Sequence, residues 1–129
     1  MLLLESGEMY LETILILSKR KNLVRSIDIC EEMNYSKPSV SRAMSRLKAE
    51  HYILMDSDGY IALTESGRII AEKIFERHTV LTTFLEKLGV SRETAMADAC
   101  KIEHDISDET FEIIKTWLTE KNIDARKEK

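Results

Sequence analysis

The segment from residue 26 to residue 63 most limits what this chain can fold into. Ser26 is predicted to cap a short helix that runs to about Met33, and Ser36 is predicted to cap a second one, with Pro38 near its first turn, that runs to about Glu50. Two strand-like runs follow, at 52–55 and 60–63, and the Ser57-Asp58-Gly59 stretch between them predicts a hairpin turn. Two helices joined by a short turn and followed by a hairpin are typical of a winged helix-turn-helix. An unrelated small α+β core is the alternative.

The second of these predicted helices has one apolar face and one basic face. Val40, Met44 and Leu47 follow a four-three spacing, which predicts that one stripe of this helix is buried. Hydroxyl and cationic side chains occupy the opposite side, and in a winged helix such side chains contact DNA phosphates and base edges. The predicted DNA-binding residues are Arg25, Ser36, Lys37, Pro38, Ser39, Ser41, Arg42 and Arg46.

The charge of the chain is unevenly distributed. A formal net charge of -4 over 129 residues alone speaks against binding to nucleic acid. Residues 19–51, however, hold eight basic and four acidic side chains, a net charge of +4 that leaves -8 for the remainder. The basic segment predicts a positively charged surface that binds nucleic acid. The acidic remainder suits a region that binds cations.

The rest of the chain is predicted to be mainly helical. With only four Gly and one Pro, few positions interrupt the helical patterns, which cover about 5–20, 65–88, 92–104 and 107–121. The two cysteines make no disulfide framework, so we expect a reducing cytoplasm. No apolar run approaches the roughly 18 residues that a membrane-spanning helix needs, so no membrane partner is expected.

A second feature is the stretch Cys100-Lys101-Ile102-Glu103-His104. Residues three and four apart share a face of an α-helix, so Cys100, Glu103 and His104 would present a thiolate, a carboxylate and an imidazole to one point. This set of donors suits a divalent transition metal such as Fe, Mn, Co, Ni or Zn. The alternative is a solvated helix face beside a buried free thiol.

Six motifs in order along the chain resemble one family. They are Glu8-Met9-Tyr10-Leu11-Glu12, Val24-Arg25-Ser26-Ile27-Asp28-Ile29, Ser36-x-Pro38-Ser39-Val40-Ser41, Leu63-Thr64-x-x-Gly67, Arg77-His78 and Asp98-Ala99-Cys100-x-x-Glu103-His104-x-Ile106-Ser107. Together they resemble the DtxR/MntR metal-dependent repressors, named for the diphtheria toxin repressor and the manganese transport regulator. The resemblance covers residues 8 to about 120.

This resemblance implies a fold, partners and a function. It implies an N-terminal winged-helix DNA-binding domain, placed at 1–72, and a helical dimerisation and metal-binding domain at 73–129. The protein would be a homodimeric repressor, not an enzyme, that binds double-stranded operator DNA and controls metal homeostasis genes. We expect the short form of the family, without the C-terminal SH3-like domain of the iron-type members.

The resemblance also implies a set of metal ligands. Met9, Cys100, Glu103 and His104 fall on the regulatory metal site of the iron-type branch, and His78 on a histidine of a second, neighbouring site. Glu12 matches a ligand position of the manganese-type branch, in which position 9 would be an aspartate. Thr82 and Met96 stand where the iron-type second site has an acid and a histidine, which departs from that pattern.

The sulfur donors favour one metal but do not identify it. The Met9 thioether and the Cys100 thiolate are soft, so Fe(II) is expected before Mn(II), which prefers hard oxygen donors.

Two other functions stay open. A metalloenzyme such as a hydrolase would need a motif such as His-Glu-x-x-His, which is not present. A winged-helix regulator of the MarR kind would sense a small organic ligand, and the Cys100 cluster would then be incidental.

Overall fold

The computed structural model describes residues 5–128, and the side chains of residues 5–120. It is mainly α, as the sequence predicted. The elements in chain order are α1 (Glu5–Lys21), α2 (Ser26–Met33), α3 (Lys37–Ala49), β1 (Ile53–Met55), β2 (Ile61–Leu63), α4 (Glu65–Lys87), α5 (Arg92–Ile102) and α6 (Asp108–Glu128). They form two compact units that divide between Ile74 and Phe75, within α4.

The first unit is a winged helix-turn-helix. Helix α1 packs against α2, α3 and β2, and α2 packs against α3. The apolar faces that form this core are buried: Leu11 and Ile14 of α1 are fully buried, and so is Val40 of α3, as the spacing in that helix predicted. Since α3 buries one stripe only, its basic face is left at the surface.

The wing is a two-stranded antiparallel hairpin whose turn is closed by a carboxylate. β1 and β2 pair from Ile53–Leu63 to Met55–Ile61. Asp56 Oδ1 accepts hydrogen bonds from the backbone N–H groups of Asp58 and Tyr60, both at 2.9 Å. Gly59 adopts a left-handed φ of 86°, which glycine tolerates without strain. The sequence predicted the turn but not the role of Asp56.

Two helix starts show how local polar groups set the fold. Ser36 caps α3 and accepts a hydrogen bond from the Ser39 N–H at 3.3 Å, as predicted. The expectation that Ser26 caps α2 was wrong. Arg25 occupies that position, and its backbone N–H donates to the Asp28 carboxylate at 2.8 Å. The acid three residues into the helix therefore supplies the acceptor.

Gly67 makes room for a close approach between α4 and the chain before β1. A Cβ atom at this position would overlap the backbone carbonyl oxygen of Tyr52, because the two chain segments touch there. Thr64 directly precedes the same helix, and its hydroxyl accepts a hydrogen bond from the Gly67 N–H at 3.1 Å. The Leu-Thr-x-x-Gly motif thus combines a helix cap with a residue that has no Cβ at the point of close approach.

The second unit consists of the latter part of α4 with α5 and α6. Leu81, Ala99 and Phe111 are buried in it, and the Phe84 and Trp117 rings meet edge to face with centroids 5.3 Å apart. Two predicted helix ends were wrong: α5 ends at Ile102 rather than at 104, and α6 continues to Glu128. None of the helices that the structure describes is both long and apolar enough to cross a membrane.

Candidate metal centre and DNA interface

Glu103 is the centre of a buried polar cluster in the second unit. It follows the last residue of α5, and its N–H donates to the Ala99 carbonyl at 2.9 Å. Its side chain is fully buried. Oε2 lies 2.8 Å from His78 Nδ1, and Oε1 lies 3.4 Å from His104 Nε2. The carboxylate therefore lies between an imidazole from α4 and one from the turn that follows α5.

The structure places the Cys-x-x-Glu-His motif across the end of a helix rather than along one. Cys100 lies in the last turn of α5 and is half-buried, whereas Glu103 and His104 come after the final helical residue. Glu103 nevertheless keeps helical backbone angles and donates its N–H four residues back, so the helical spacing from Cys100 still applies to it. The His104 side chain is 1% exposed, which shows that it turns inward from the turn.

The chemistry of this cluster fits a divalent cation. A buried carboxylate is costly unless hydrogen bonds or a counter-charge compensate it. Within residues 5–120, no group makes a hydrogen bond to Oε1 of Glu103. When the His78 Nδ1 proton is donated to Oε2, Nε2 keeps a lone pair for a metal. Carboxylate and imidazole donors at one place suit iron, manganese or zinc.

The two predicted ligands of α1 lie in the first unit. Met9 and Glu12 are three residues apart, so they share one side of the helix. Met9 is half-buried, and Glu12 is 9% exposed, which is unusual for a charged side chain. The structure thus brings His78, Glu103 and His104 together in one unit and presents Met9 and Glu12 on a common face of the other.

Arg77 is a residue whose role the sequence did not reveal. It precedes His78 on α4 and is buried. Its Nη1 donates to the carbonyl oxygens of Glu103, at 3.1 Å, and Ile106, at 2.7 Å, and its Nη2 pairs with Asp108. The Arg77-His78 motif marked the position, but its partners lie 26 or more residues away and no local pattern points to them.

The exposed face of α3 carries the predicted DNA contacts. Lys37, Pro38, Arg42 and Arg46 are exposed, and Ser39 is half-buried. Ser39, Arg42 and Arg46 line a surface cavity of about 250 Å³ together with Ser6, Tyr10 and Ala43. The Ser36 hydroxyl lies 2.9 Å from that of Ser39. These two residues of the predicted DNA-binding surface therefore also cap the N-terminus of α3. Ser36 and Ser41 are exposed as well.

Two other basic side chains of the segment 19–51 are already paired with carboxylates. Arg20 makes a two-point ion pair with Glu32 at 3.0 and 3.1 Å, and Lys21 donates to Asp28 at 2.5 Å. This hydrogen bond from Lys21 holds the pKa of Asp28 below its usual value. The exposed Arg25 guanidinium stacks over the Tyr60 ring of the wing, with its Cζ 4.5 Å from the ring centroid. The positive charge available to a phosphate is therefore concentrated on α3 and at Arg25.

Two family models match successive parts of the chain. "Iron dependent repressor, N-terminal DNA binding domain" matches residues 2–63, and "Iron dependent repressor, metal binding and dimerisation domain" matches residues 64–128. Together they define the class of protein, a metal-dependent transcriptional regulator. The chain belongs to the DtxR/MntR family of metal-dependent transcriptional repressors, as its motifs predicted. This is a family of DNA-binding regulators rather than enzymes, so the hydrolase alternative is set aside. The MarR-like alternative is set aside because both matching family models describe iron-dependent repressors.

Individual relatives agree with this assignment. The chain is 34% identical over 102 residues to the HTH-type transcriptional regulator MntR of Geobacillus kaustophilus, covering 79% of this chain and 72% of that one. It is 33% identical over 116 residues to an HTH-type transcriptional regulator of Methanocaldococcus jannaschii, MJ0568, covering 88% and 93%. The solved manganese regulator SloR superposes with a TM-score of 0.78 at 30% identity over 88% of this chain. The chain spans about half the length of that protein, 53%.

Proposed function

We propose that this protein is a repressor that binds operator DNA when it holds Fe(II) or Mn(II), and that it controls metal homeostasis genes. The observation that supports this most is the fully buried Glu103 carboxylate between two imidazoles, in a domain matched by a metal-binding family. Neither Cys30 nor Cys100 forms a disulfide within the described part of the chain, which is in keeping with a reducing cytoplasm.

The proposed ligands come from both units. His78, Cys100, Glu103 and His104 would supply imidazole, thiolate and carboxylate donors from the second unit. Met9 and Glu12 of α1 would complete the set, as the family resemblance implies. When bound, the metal supplies a double positive charge that compensates the buried carboxylates and joins the residues whose side chains hold it. Cysteine must be deprotonated to serve as a ligand, so binding would release protons.

The choice between the two metals follows from the soft donors. The Met9 thioether and the Cys100 thiolate favour Fe(II) over Mn(II), whereas carboxylate oxygens favour Mn(II). Two of the solved structures that this chain resembles are those of a manganese regulator and of a manganese-dependent repressor. We place Fe(II) first because this chain has Met at position 9, where the manganese-type branch has an aspartate.

Metal binding would control DNA binding through the dimer. Two copies of α3 must meet half-sites about 34–36 Å apart, or a multiple of this distance, on one face of the duplex. A metal that joins α1 to the second unit would fix that spacing. The coupling is reciprocal, so operator DNA must tighten metal binding by the same factor.

An apolar surface of the second unit is a suitable place for the second copy. Leu88 and Ile113 are 60% and 64% exposed, and with Phe84, Ile114 and Trp117 they line a surface cavity of about 370 Å³. Exposed apolar surface of this kind is typical of a protein interface. We propose that a partner subunit of the homodimer covers it, since the matching family model is a dimerisation domain.

Substitutions on α3 test the DNA interface. Arg42→Ala should weaken binding to a specific site by about 1–3 kcal/mol, because Arg42 is exposed on the proposed recognition helix. Arg46→Ala should weaken binding to all sequences alike and flatten its salt dependence. Arg92→Ala is a matched control, since Arg92 is exposed on α5 and pairs with Glu86 at 3.1 Å. Fluorescence anisotropy at several salt concentrations would report both effects, and parent-like binding by both α3 variants would contradict the assignment.

A further inference from the structure

Arg77 is a buried cation with an unusual set of acceptors. Its side chain is 6% exposed, and long charged side chains are rarely buried to this degree unless they are paired. The guanidinium donates to two backbone carbonyl oxygens in the segment that follows α5 and to one carboxylate at the start of α6. The Phe111 ring lies beside it, with the guanidinium carbon 5.3 Å from the ring centroid. Its geometry is therefore fixed by four neighbours from one region of the chain.

The first acceptor of Arg77 belongs to the peptide group that joins Glu103 to His104. The nearby N–H groups of Asp105 and Ile106 both donate to the Ile102 carbonyl, at 3.0 Å each, and not to that of Glu103. Arg77 therefore supplies the donor for this carbonyl just beyond the end of α5. Because a peptide group is planar, holding its oxygen restricts the directions in which the Glu103 and His104 side chains leave the backbone.

Adjacent residues of α4 thus hold Glu103 at two points. Arg77 binds its backbone carbonyl at 3.1 Å, and His78 lies 2.8 Å from its carboxylate. The positive charge of Arg77 by itself would disfavour a divalent cation nearby. Its ion pair with Asp108, at the start of α6, offsets that charge. The arrangement orients the two side chains without leaving an uncompensated cation beside them.

We infer that Arg77 is a positioning residue for the metal centre: it orients Glu103 and His104 through their shared peptide group, and Asp108 neutralises it. This inference rests on the proposed function of the His78, Glu103 and His104 cluster. Lysine cannot replace arginine here, because a single ammonium cannot reach the two carbonyls and the carboxylate in the same fork geometry. Loss of such an outer partner typically weakens metal binding about 10- to 100-fold.

The test compares Mn(II) binding by the full-length chain and its variants, using calorimetry and the electron paramagnetic resonance signal of Mn(II). Arg77→Lys and Arg77→Met should weaken Mn(II) binding by roughly 10- to 100-fold. They should also reduce the rise in melting temperature that Mn(II) causes relative to a chelator. Arg68→Met is the matched control, since Arg68 is exposed on the same helix and pairs with Glu72 at 3.7 Å. It should bind like the parent.

The outcomes separate this inference from the proposed function. If the parent binds neither Mn(II) nor Fe(II), the proposed metal centre itself fails. If the parent binds Mn(II) and Arg77→Lys binds it equally well, Arg77 is only structural and the inference is overturned. Should Arg77→Met not fold, Arg77→Lys and Asp108→Asn decide, because Asp108→Asn leaves a buried guanidinium unneutralised and should also weaken binding. Parent-like Mn(II) affinity in either variant would overturn the inference.

Discussion

Replacing Glu103 by glutamine should separate metal binding from folding. Glutamine keeps the shape of the side chain and removes its charge. At a free Mn(II) concentration of about 100 times the Kd, metal should add about 2.7 kcal/mol to the free energy of unfolding of the parent. For a domain of this size, that corresponds to a rise in melting temperature of roughly 10 °C. In Glu103→Gln most of this rise should disappear, because the buried carboxylate at the centre of the cluster is lost.

The same variant should be no less stable than the parent in a chelator. The Glu103 carboxylate is fully buried and has one oxygen without a hydrogen bond among the described residues, so in the absence of metal it destabilises the fold. Replacing a buried charge by a neutral group of the same shape is often neutral or stabilising. The chelator melting temperature should therefore stay equal or rise.

Thermal unfolding with Mn(II) and with a chelator measures both quantities. Glu93→Gln is the matched control, because Glu93 lies exposed in the first turn of α5 and loses the same charge. It should keep the full rise with Mn(II). If Glu103→Gln also kept that rise, the carboxylate would not be a metal ligand. A large drop in its chelator melting temperature would show instead that Glu103 serves the fold.

Three further substitutions test other parts of the account. Met9→Asp adds a hard, charged donor, so operator binding should gain response to Mn(II) relative to Fe(II); an unchanged ratio of activation midpoints would show that Met9 only packs. Gly67→Ala should destabilise the first unit by about 1–3 kcal/mol in urea unfolding, since its Cβ overlaps a backbone oxygen; parent-like stability would contradict that contact. Ile113→Glu places a charge on the proposed dimer surface and should yield a folded monomer in sedimentation experiments; an intact dimer would exclude this surface.

The parts of the fold that the sequence predicted well are those fixed by local signals. Helix α3 is an example, because Ser36, Pro38 and the spacing of Val40, Met44 and Leu47 all act within one helix. The apolar pattern of α4 was less informative. Ile69 and Ile74 are both apolar residues of this helix, yet Ile69 is 62% exposed and Ile74 is buried, because the apolar pattern alone does not show which residues are covered.

The candidate site could be predicted only in part for a similar reason. Spacing pointed to Glu103 and His104, and the family resemblance added His78, but the contact between His78 and Glu103 joins residues 25 apart. The predicted end of α5 lay two residues too late. The carbonyl of Glu103 accepts its hydrogen bond from Arg77, which belongs to another helix, and this contact is not visible in the local sequence. Such tertiary partners leave no periodic trace in the sequence, so the motif was predicted on a helix although two of its residues follow one.

The central claim is that a divalent metal switches on sequence-specific DNA binding, and a selection experiment tests it most directly. The protein would select from a pool of random duplexes at fixed salt, in parallel with Fe(II) under anaerobic conditions, with Mn(II) and with a chelator. We predict enrichment of a two-fold symmetric sequence with half-sites about 34–36 Å apart, or a multiple of this, only in the metal-bound arms. Equal enrichment in the chelator arm, or none in any arm, would contradict the claim.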